Sequence, residues 1–386
     1  MDTVKRRPPR IAIVAGEASG DLLGSHLIQA IKAHCPDAEF YGIAGAKMIF
    51  AGARTLYPLE KLSVNGYVEV IKHLPELLNI RRKLKNTILA DPPDLFIGID
   101  APDFNLGLET ALKAHGIPTI HYVSPSIWAW RGGRIKTIAK AVSHMLVVFP
   151  FETAIYQKAG IPVTYVGHPL ADTLPAKPDR EGTRARLNLP LTQPLIALLP
   201  GSRVSELKQH AQLFVETAQL IQARYPEVRF VTPLISRETR EIFTAAMYAC
   251  EHPPRIQIMI GHADYALVAA DIALIASGTA TLEAAMLKRP MVITYRVPKM
   301  TAYLMRRQAY LPWVGLPNIL ANRDIVPELV QENATAPQLA DALMALFEDK
   351  ARRADIETEF TRQYLSLKQN TAEKMAAAIL PYLSCA

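Results

Sequence analysis

The sequence has few cysteines and no long apolar run, and these absences exclude several classes of protein. Only Cys35, Cys250 and Cys385 occur in 386 residues, far apart and without a CxxC pair. They predict neither a disulfide framework nor a zinc site, and they indicate a reducing compartment. Because no stretch of about 18 uninterrupted apolar residues is present, no helix is expected to span a bilayer.

An export signal is also missing from the pattern of the first residues. The basic stretch 1–10 leads into the apolar run IAIVA, which a glycine and a glutamate follow at once. Such a run is too short for the apolar core of a signal peptide. The expected location is therefore the cytoplasm, with any membrane contact peripheral.

The composition is that of a globular protein with two domains. Hydrophobic residues make up 50% and charged residues 20%, which supplies packed cores and gives no case for extended disorder. A chain of 386 residues is too long for one ordinary core. The net charge of +7 favours an acidic partner, which nucleic acid, an anionic membrane or a phosphorylated substrate would each satisfy.

Short apolar runs alternate with longer stretches of helical period, a pattern that predicts βαβ units on parallel sheets. Residues 176–194, rich in proline and charge, separate two sets of runs and are interpreted as a linker. Each set opens with a strand, a glycine turn and a helix. The predicted fold class is α/β, with two Rossmann-like domains facing a cleft. We expect domains at 1–175 and 190–345, and C-terminal helices at 350–386 that pack back on the first domain.

The second set contains two strand-to-helix turns suited to phosphate. In LLPGSRVSEL, Gly201 and Ser202 would present free backbone N–H groups and Arg203 a bidentate cation. A tight turn with a surface arginine is the alternative. In ASGTATLEAAM, Glu283 follows the turn and could meet nucleotide hydroxyls or merely favour the helix start. The residues of that second turn are Ser277, Gly278, Thr279 and Ala280.

The first set offers a small-residue turn and a carboxylate at strand ends. GEASGDLLG is neither GxGxxG nor a P-loop, so it indicates close approach by a ligand or an ordinary βα turn. In GIDAPDF, Asp100 ends a strand and could act as a general base or cap a helix; Asp103 is expected to be the cap. The candidates in the first turn are Gly16, Glu17, Ser19 and Gly20.

Two further stretches combine apolar and basic residues. Trp128 and Trp130 stand beside Arg131 and Arg134, where they could hold sugar, lipid or phosphate, or pack in the core. Residues 65–85 resemble an interfacial helix with a basic end, although an ordinary packed amphipathic helix, kinked or restarted at its proline, is the alternative. The expected membrane contacts are Val68, Ile71, Leu74, Leu77 and Leu78.

Taken together, eight stretches resemble the lipid-A-disaccharide synthase (LpxB) family of Gram-negative bacteria. They occur in the family's order from residue 16 to 320, so the resemblance covers most of the chain. The stretches are GEASGDLLG, GIDAPDF, YVSPSIWAWR, FPFE, VGHPL, LLPGSR, ASGTATLEAAM and LPNIL.

The resemblance implies an inverting glycosyltransferase of GT-B architecture. The implied donor is UDP-2,3-diacylglucosamine and the implied acceptor is 2,3-diacylglucosamine 1-phosphate (lipid X), which gives UDP and the lipid A disaccharide 1-phosphate. By likeness to the family, Asp100 is the base, Arg203 and the 277–280 turn hold UDP, Glu283 binds the ribose, and Asn318 contacts the nucleotide or donor sugar. The first-domain side of the cleft would include the first turn with Trp130 and Arg131.

No metal and no organic cofactor are expected, because helix ends and arginine would stabilise the diphosphate and no DxD pair occurs at these motifs. The expected partners are the two lipid substrates and the anionic inner-membrane surface, with no nucleic acid and an open oligomeric state. Two other classes of function stay open. A UDP-sugar 2-epimerase would need no lipid-facing helix, and a non-catalytic nucleotide-sugar binding protein would have no need of Asp100.

Overall fold

The computed structural model describes residues 7–62, 67–298, 301–303, 307 and 310–383. The chain forms two compact units, Met1–Asp172 with Ser366–Ala386, and Thr173–Leu365. Each unit is an α/β fold around one parallel sheet, as the alternation of apolar runs predicts.

Unit 1 has a seven-stranded sheet of order β3-β2-β1-β4-β5-β6-β7. Its central strands are fully buried runs such as LFIGI, because helices cover both faces of a parallel sheet. The strands are β1 (Arg10–Ala15), β2 (Glu39–Ala44), β3 (Ala53–Pro58), β4 (Leu95–Ile99), β5 (Thr119–Tyr122), β6 (His144–Val147) and β7 (Val163–Tyr165).

The helices of unit 1 follow its strands, and the last one returns from the end of the chain. Helix α16 (Thr371–Ile379) packs on α1 (Ala18–His34) and buries Met375, Ala376 and Ile379. The helices are α1 (Ala18–His34), α2 (Ala46–Phe50), α3 (Tyr67–Ala90), α4 (Pro102–Lys113), α5 (Ile135–Ala141), α6 (Glu152–Lys158), α7 (Pro169–Thr173) and α16 (Thr371–Ile379).

Unit 2 has a six-stranded parallel sheet of order β10-β9-β8-β11-β12-β13. Its strands are β8 (Leu195–Leu199), β9 (Arg229–Leu234), β10 (Ile256–Ile260), β11 (Ile272–Ala276), β12 (Met291–Tyr295) and β13 (Glu328–Val330). Its helices are α8 (Arg180–Arg186), α9 (Val204–Arg224), α10 (Arg237–Tyr248), α11 (Ala263–Ala269), α12 (Thr279–Met286), α13 (Leu316–Ala321), α14 (Ala336–Glu348) and α15 (Lys350–Leu367).

The segment interpreted as a linker is in fact partly folded into unit 2. Residues Arg180–Arg186 form α8, and Arg184 is fully buried. Its guanidinium donates to the carbonyls of Ala269, Pro190, Leu191 and Gln193 and to the Asp271 carboxylate. These contacts compensate the buried charge of Arg184, whereas the prediction of a linker from composition implied a solvent-exposed side chain.

Three further details differ from the sequence expectations. The edge strands β3 and β13 were not predicted, since their polar, partly exposed residues lack an apolar run. Cys35 is disulfide-bonded, although no disulfide was predicted, while Cys250 is free. Helix α3 continues through Pro75 as one element.

No helix in the described part of the chain is long and apolar enough to cross a bilayer.

Candidate active-site turns

Each sheet has one switch point, where the strand order reverses, and the motifs of interest lie there. In unit 1, β1 and β4 are neighbours although two strands lie between them in sequence, and in unit 2 the same holds for β8 and β11. Ligands of open α/β sheets bind beyond the carboxyl ends of the strands at such points. The four turns that follow these strands are therefore the candidate site segments of their units.

In unit 1 the turn after β4 is strained and packs against the turn after β1. Asp100 and Ala101 have positive φ angles of 50° and 43°, a region that residues other than glycine seldom occupy. A Cβ built on Gly16 would lie 2.3 Å from the Cβ of Ala101, so glycine is required there. Strain of this kind costs on the order of 1–3 kcal/mol per residue and is concentrated at functional sites.

Hydrogen bonds to its backbone hold Asp100 in this conformation. Its N–H donates to the carbonyl of Tyr122, and its carbonyl accepts from Asn105 Nδ2 at 2.8 Å. The predicted cap, Asp103, is not the N-cap of α4; that position is Ala101, and no side-chain cap is formed. Asp103 lies in the first turn instead, where its carboxylate pairs with Arg134.

The turn after β1 contributes small and polar groups beside Asp100. Gly16 and Gly20 are buried, Glu17 is the partly exposed N-cap position of α1, and Ser19 is exposed. The buried Asp21, which sequence reasoning left out, accepts the backbone N–H groups of Lys47 and Met48 and so fixes α2 to α1.

The loop after β5 is anchored by a buried carboxylate, Glu152. It accepts from Trp128 Nε1 at 3.0 Å and from the Phe149 N–H at 3.0 Å. Burial raises the pKa of Glu152 to about 7, against the opposing effect of these hydrogen bonds. Trp128 is thus held in place, while Trp130 remains exposed with the Arg131 guanidinium 4.4 Å from its ring centre. Exposure leaves this pair open to a sugar or phosphate.

In unit 2 the turn after β8 already contains an anion. The Glu206 carboxylate accepts the N–H groups of Ser202 and Arg203 at 2.9 and 3.1 Å. This corrects the expectation that the turn presents free backbone donors. Gly201, with φ of 125°, allows the carboxylate to fold back, since a Cβ there would lie 2.6 Å from that of Glu206. What this turn offers a ligand is the half-exposed Arg203 guanidinium, which lies 3.6 Å from Glu206 Oε1.

A buried histidine, also missed from the sequence, joins this turn to the end of β12. His210 Nδ1 lies 3.1 Å from the carbonyl of Pro200, and its Nε2 accepts the N–H of Arg296 at 2.9 Å. Burial lowers the pKa of His210, which agrees with a neutral ring that donates on one side and accepts on the other.

The turn after β11 has no such internal anion. No side-chain cap is formed at the start of α12, and within its first turn no residue is acidic. Gly278 and Thr279 are exposed, Ser277 and Ala280 partly so. The Ser277 hydroxyl donates to the carbonyl of Val314, which fixes the turn without covering it. Uncapped N–H groups at a helix N-terminus attract phosphate.

Glu283 lies one turn into α12 and is partly buried. Burial raises its pKa to about 7, with a smaller contribution from the Asp264 carboxylate. A carboxyl group poised between its two protonation states can donate to or accept from a ligand hydroxyl.

Asn318 does not have the role expected of it. Its side chain is fully buried and makes four hydrogen bonds: Nδ2 to the Val326 carbonyl and Glu328 Oε1, and Oδ1 from the N–H groups of Ile325 and Val326. No hydrogen-bonding capacity remains for a nucleotide or sugar. Asn318 instead supports Glu328, which accepts the N–H groups of Val314 and Gly315 beside the Ser277 turn.

The predicted membrane-contact residues lie on α3, but only some of their side chains fall within the described part. Leu74 and Leu78 are 44% and 45% exposed, and Leu77 is partly exposed. The side chains of Val68 and Ile71 lie outside the described residues. Among the described residues, no cluster of three or more His, Cys, Asp or Glu side chains is placed to hold a metal ion.

The sequence matches one family model over nearly its whole length. Residues 11–381 match the model for lipid-A-disaccharide synthetase, LpxB. The chain is 58% identical over 376 residues to the lipid-A-disaccharide synthase of Methylobacillus flagellatus, which covers 97% of this chain and 100% of the relative.

Solved structures share the fold at much lower identity. The glycotransferase of kitacinnamycin superposes with a TM-score of 0.67 at 15% identity and covers 98% of this chain and 100% of its own. The UDP-GlcNAc 2-epimerase of Neisseria meningitidis gives 0.62 at 12%, covering 96% and 98%. Since both a transferase and an epimerase have this fold, the fold alone does not select the reaction.

Proposed function

The chain belongs to the lipid-A-disaccharide synthetase family, a family of glycosyltransferases, and from this premise we propose how its own residues divide the work. The proposed donor is UDP-2,3-diacylglucosamine, and the proposed acceptor is 2,3-diacylglucosamine 1-phosphate. The acceptor 6-hydroxyl displaces UDP from the anomeric carbon with inversion. The observation that carries the proposal is the strained Asp100–Ala101 turn at the switch point of unit 1.

Unit 2 is proposed to bind the UDP moiety through the turn after β11. The uncapped start of α12, at Ser277, Gly278, Thr279 and Ala280, would receive the diphosphate, and Glu283 would accept from the ribose hydroxyls. Arg203 adds the positive charge that stabilises the leaving diphosphate as its bond to the sugar breaks. Asn318 is excluded from this set by its saturated hydrogen bonds.

Unit 1 is proposed to bind the acceptor and to supply the base. The Asp100 carboxylate would take the proton of the attacking hydroxyl late in the displacement, when the oxygen is bonding to an oxocarbenium-like carbon and has become more acidic. Gly16, Glu17, Ser19 and Gly20 would line the acceptor side, with Trp130 and Arg131 against the sugar and its phosphate.

The decisive experiment compares Asp100→Asn with Asp103→Asn. Both remove a carboxylate near the start of α4, but only Asp100 lies on the strained turn. UDP release with both substrates should fall by about 1,000-fold in Asp100→Asn and by less than about 3-fold in the control. An active Asp100→Asn enzyme would refute the base assignment. UDP release without the acceptor would favour hydrolysis or an epimerase-type reaction.

No metal is assigned a role, and the same assay tests this. Activity in the presence of a strong chelator should equal that without it, because arginine and helix N–H groups carry the leaving charge in the proposed site. Activity lost to the chelator and restored by a divalent cation would contradict this part of the proposal.

Helix α3 is proposed to bring the enzyme to the cytoplasmic face of the inner membrane, where the acylated substrates lie. The support is the exposure of Leu74 and Leu78 together with the basic run at 81–85. Leu74→Ser with Leu78→Ser should lower binding to vesicles containing anionic lipid by about 10-fold. Equal cosedimentation of the double variant and the parent protein would remove α3 from this role.

A further inference from the structure

An ion pair that the proposed reaction does not use lies in the core of unit 1. His121 Nδ1 and Glu109 Oε1 are 2.7 Å apart, and both side chains are completely buried. His121 is on β5 and Glu109 on α4, which covers the sheet at that position. Burying two ionisable groups costs free energy, and a hydrophobic pair of similar volume usually packs at least as well.

The space for the pair comes from Gly98 on β4. Gly98 is the register partner of His121, and a Cβ there would lie 2.1 Å from Glu109 Oε1 and 3.1 Å from the Cβ of Asn105. Asn105 is one turn before Glu109 on the same face of α4 and donates to the Asp100 carbonyl. The ion pair therefore lies directly below the residues that shape the Asp100 turn.

Three polar atoms of this cluster retain unused hydrogen-bonding capacity. Asn105 Oδ1, Glu109 Oε2 and His121 Nε2 are buried and have no partner among the described residues. A purely structural cluster is expected to satisfy such atoms, since each unsatisfied group costs about 1–3 kcal/mol.

The cluster is electrostatically connected to Asp100. Burial by itself would lower the pKa of His121, but the Glu109 carboxylate and, to a smaller extent, the Asp100 carboxylate raise it overall. These two carboxylates therefore favour the protonated form of the ring. Other ionisable groups on the surrounding elements include Asp103 and Lys113 on α4, Arg81 on α3, Arg134 just before α5, Tyr122 on β5, Asp172 on α7 and His144 on β6.

We propose that Glu109 and His121 form a positioning pair for the proposed base: they pack beneath Asn105, which fixes the Asp100 turn, and a proton on His121 places positive charge near the Asp100 carboxylate until that group takes the acceptor proton. The pair touches neither substrate. It acts through Asp100, so this inference rests on the proposed function.

The first test measures pH profiles of kcat/KM for His121→Gln and Glu109→Gln. Each variant removes the positive charge, since His121 without its carboxylate becomes a buried neutral ring. The acidic limb should move to higher pH by about half a unit or more, and kcat should fall about 10-fold with little change in either KM. The double variant should match the single ones, because the two residues act as a unit.

The matched control is His144→Gln. His144 is a half-buried histidine on the neighbouring strand, 2.8 Å from the Thr164 hydroxyl, and it does not contact Glu109 in the described contacts. Its substitution should leave the acidic limb in place. If the limb is also unmoved in His121→Gln, the pair is structural and the proposal fails.

A second measurement does not depend on whether the Glu109 and His121 variants fold. Imidazole ¹⁵N spectra of the parent protein should show His121 protonated on both nitrogens from pH 6 to 8, and Asp100→Asn should shift those resonances. A neutral His121 at pH 7 overturns the proposal. Because this readout does not depend on turnover, an active Asp100→Asn enzyme would reject the base assignment separately from the charge state of the pair.

Discussion

The two strand-to-helix turns of unit 2 look alike in sequence but differ in how the backbone N–H groups at the helix start are capped. After β8, the N3 residue of α9 is Glu206, whose carboxylate takes the N–H groups of Ser202 and Arg203. After β11, the N3 residue of α12 is Thr281, whose hydroxyl donates backwards to the Gly278 carbonyl. One helix start is capped by a side chain of its own helix, and the other has no side-chain cap.

The difference in capping corresponds to two ways in which a helix start can bind a diphosphate. A helix start with free N–H groups binds an anion through its backbone, whereas a start that is already capped can offer only a side chain. We infer that α12 provides the backbone site and that the β8 turn provides a pre-oriented arginine whose charge Glu206 partly offsets.

The largest effect on UDP binding is expected from placing a carboxylate in the turn after β11, where the start of α12 has no side-chain cap. Ala280→Glu adds a negative charge in the first turn of α12, where it would compete with the diphosphate. UDP affinity measured by calorimetry should fall by about 100-fold, since a like-charge contact costs several kcal/mol. The neutral Ala280→Gln, of the same size, should change affinity by less than about 5-fold. Equal losses in the two variants would indicate a steric effect and no anion site.

The second prediction concerns the turn after β8, where Glu206 caps the helix start. Glu206→Gln removes the carboxylate charge while keeping an acceptor for the backbone, so the field at Arg203 becomes more positive. UDP should bind about 3-fold more tightly, and the melting temperature should drop by about 3 °C because a charge-assisted cap is weakened. Weaker UDP binding would mean that Glu206 orients Arg203 productively.

The smallest predicted effect is a pH dependence of UDP-sugar affinity that tests the role of Glu283 on α12. With its pKa raised to about 7 by burial, the residue becomes a carboxylate as pH rises through neutrality. A carboxylate is the better acceptor for ribose hydroxyls, so UDP-sugar affinity should increase about 3-fold between pH 6 and 8. Glu283→Gln should give a flat profile over this range, and a sloping one would locate the titrating group elsewhere.

The buried strands and their alternation with helices could be predicted, because each buried strand has a continuous apolar run. Lone residues such as Arg184 could not be placed, since two of its five acceptors, Ala269 and Asp271, belong to a segment far away in sequence. The same reason explains the polar edge strand β3, which is recognisable only by its pairing with β2.

For the candidate site, the positions of turns were predictable and the state of their hydrogen bonds was not. A glycine turn before a helix marks the β8 loop, but whether Glu206 folds back onto it depends on three-dimensional geometry. Asn318 shows the converse case. Its motif drew attention to the right segment, yet its amide is consumed by Glu328 and by the backbone of residues 325 and 326.

The return of the chain's last residues to unit 1 has a consequence for synthesis on the ribosome. Because α16 covers α1, unit 1 is incomplete until residues 371–379 have emerged, long after its sheet could have formed. During that interval the face of α1 that α16 will cover is exposed to water and to chaperones. Unit 2 is continuous in sequence, so it can finish folding first, and a truncated chain would release a first unit with an open apolar face.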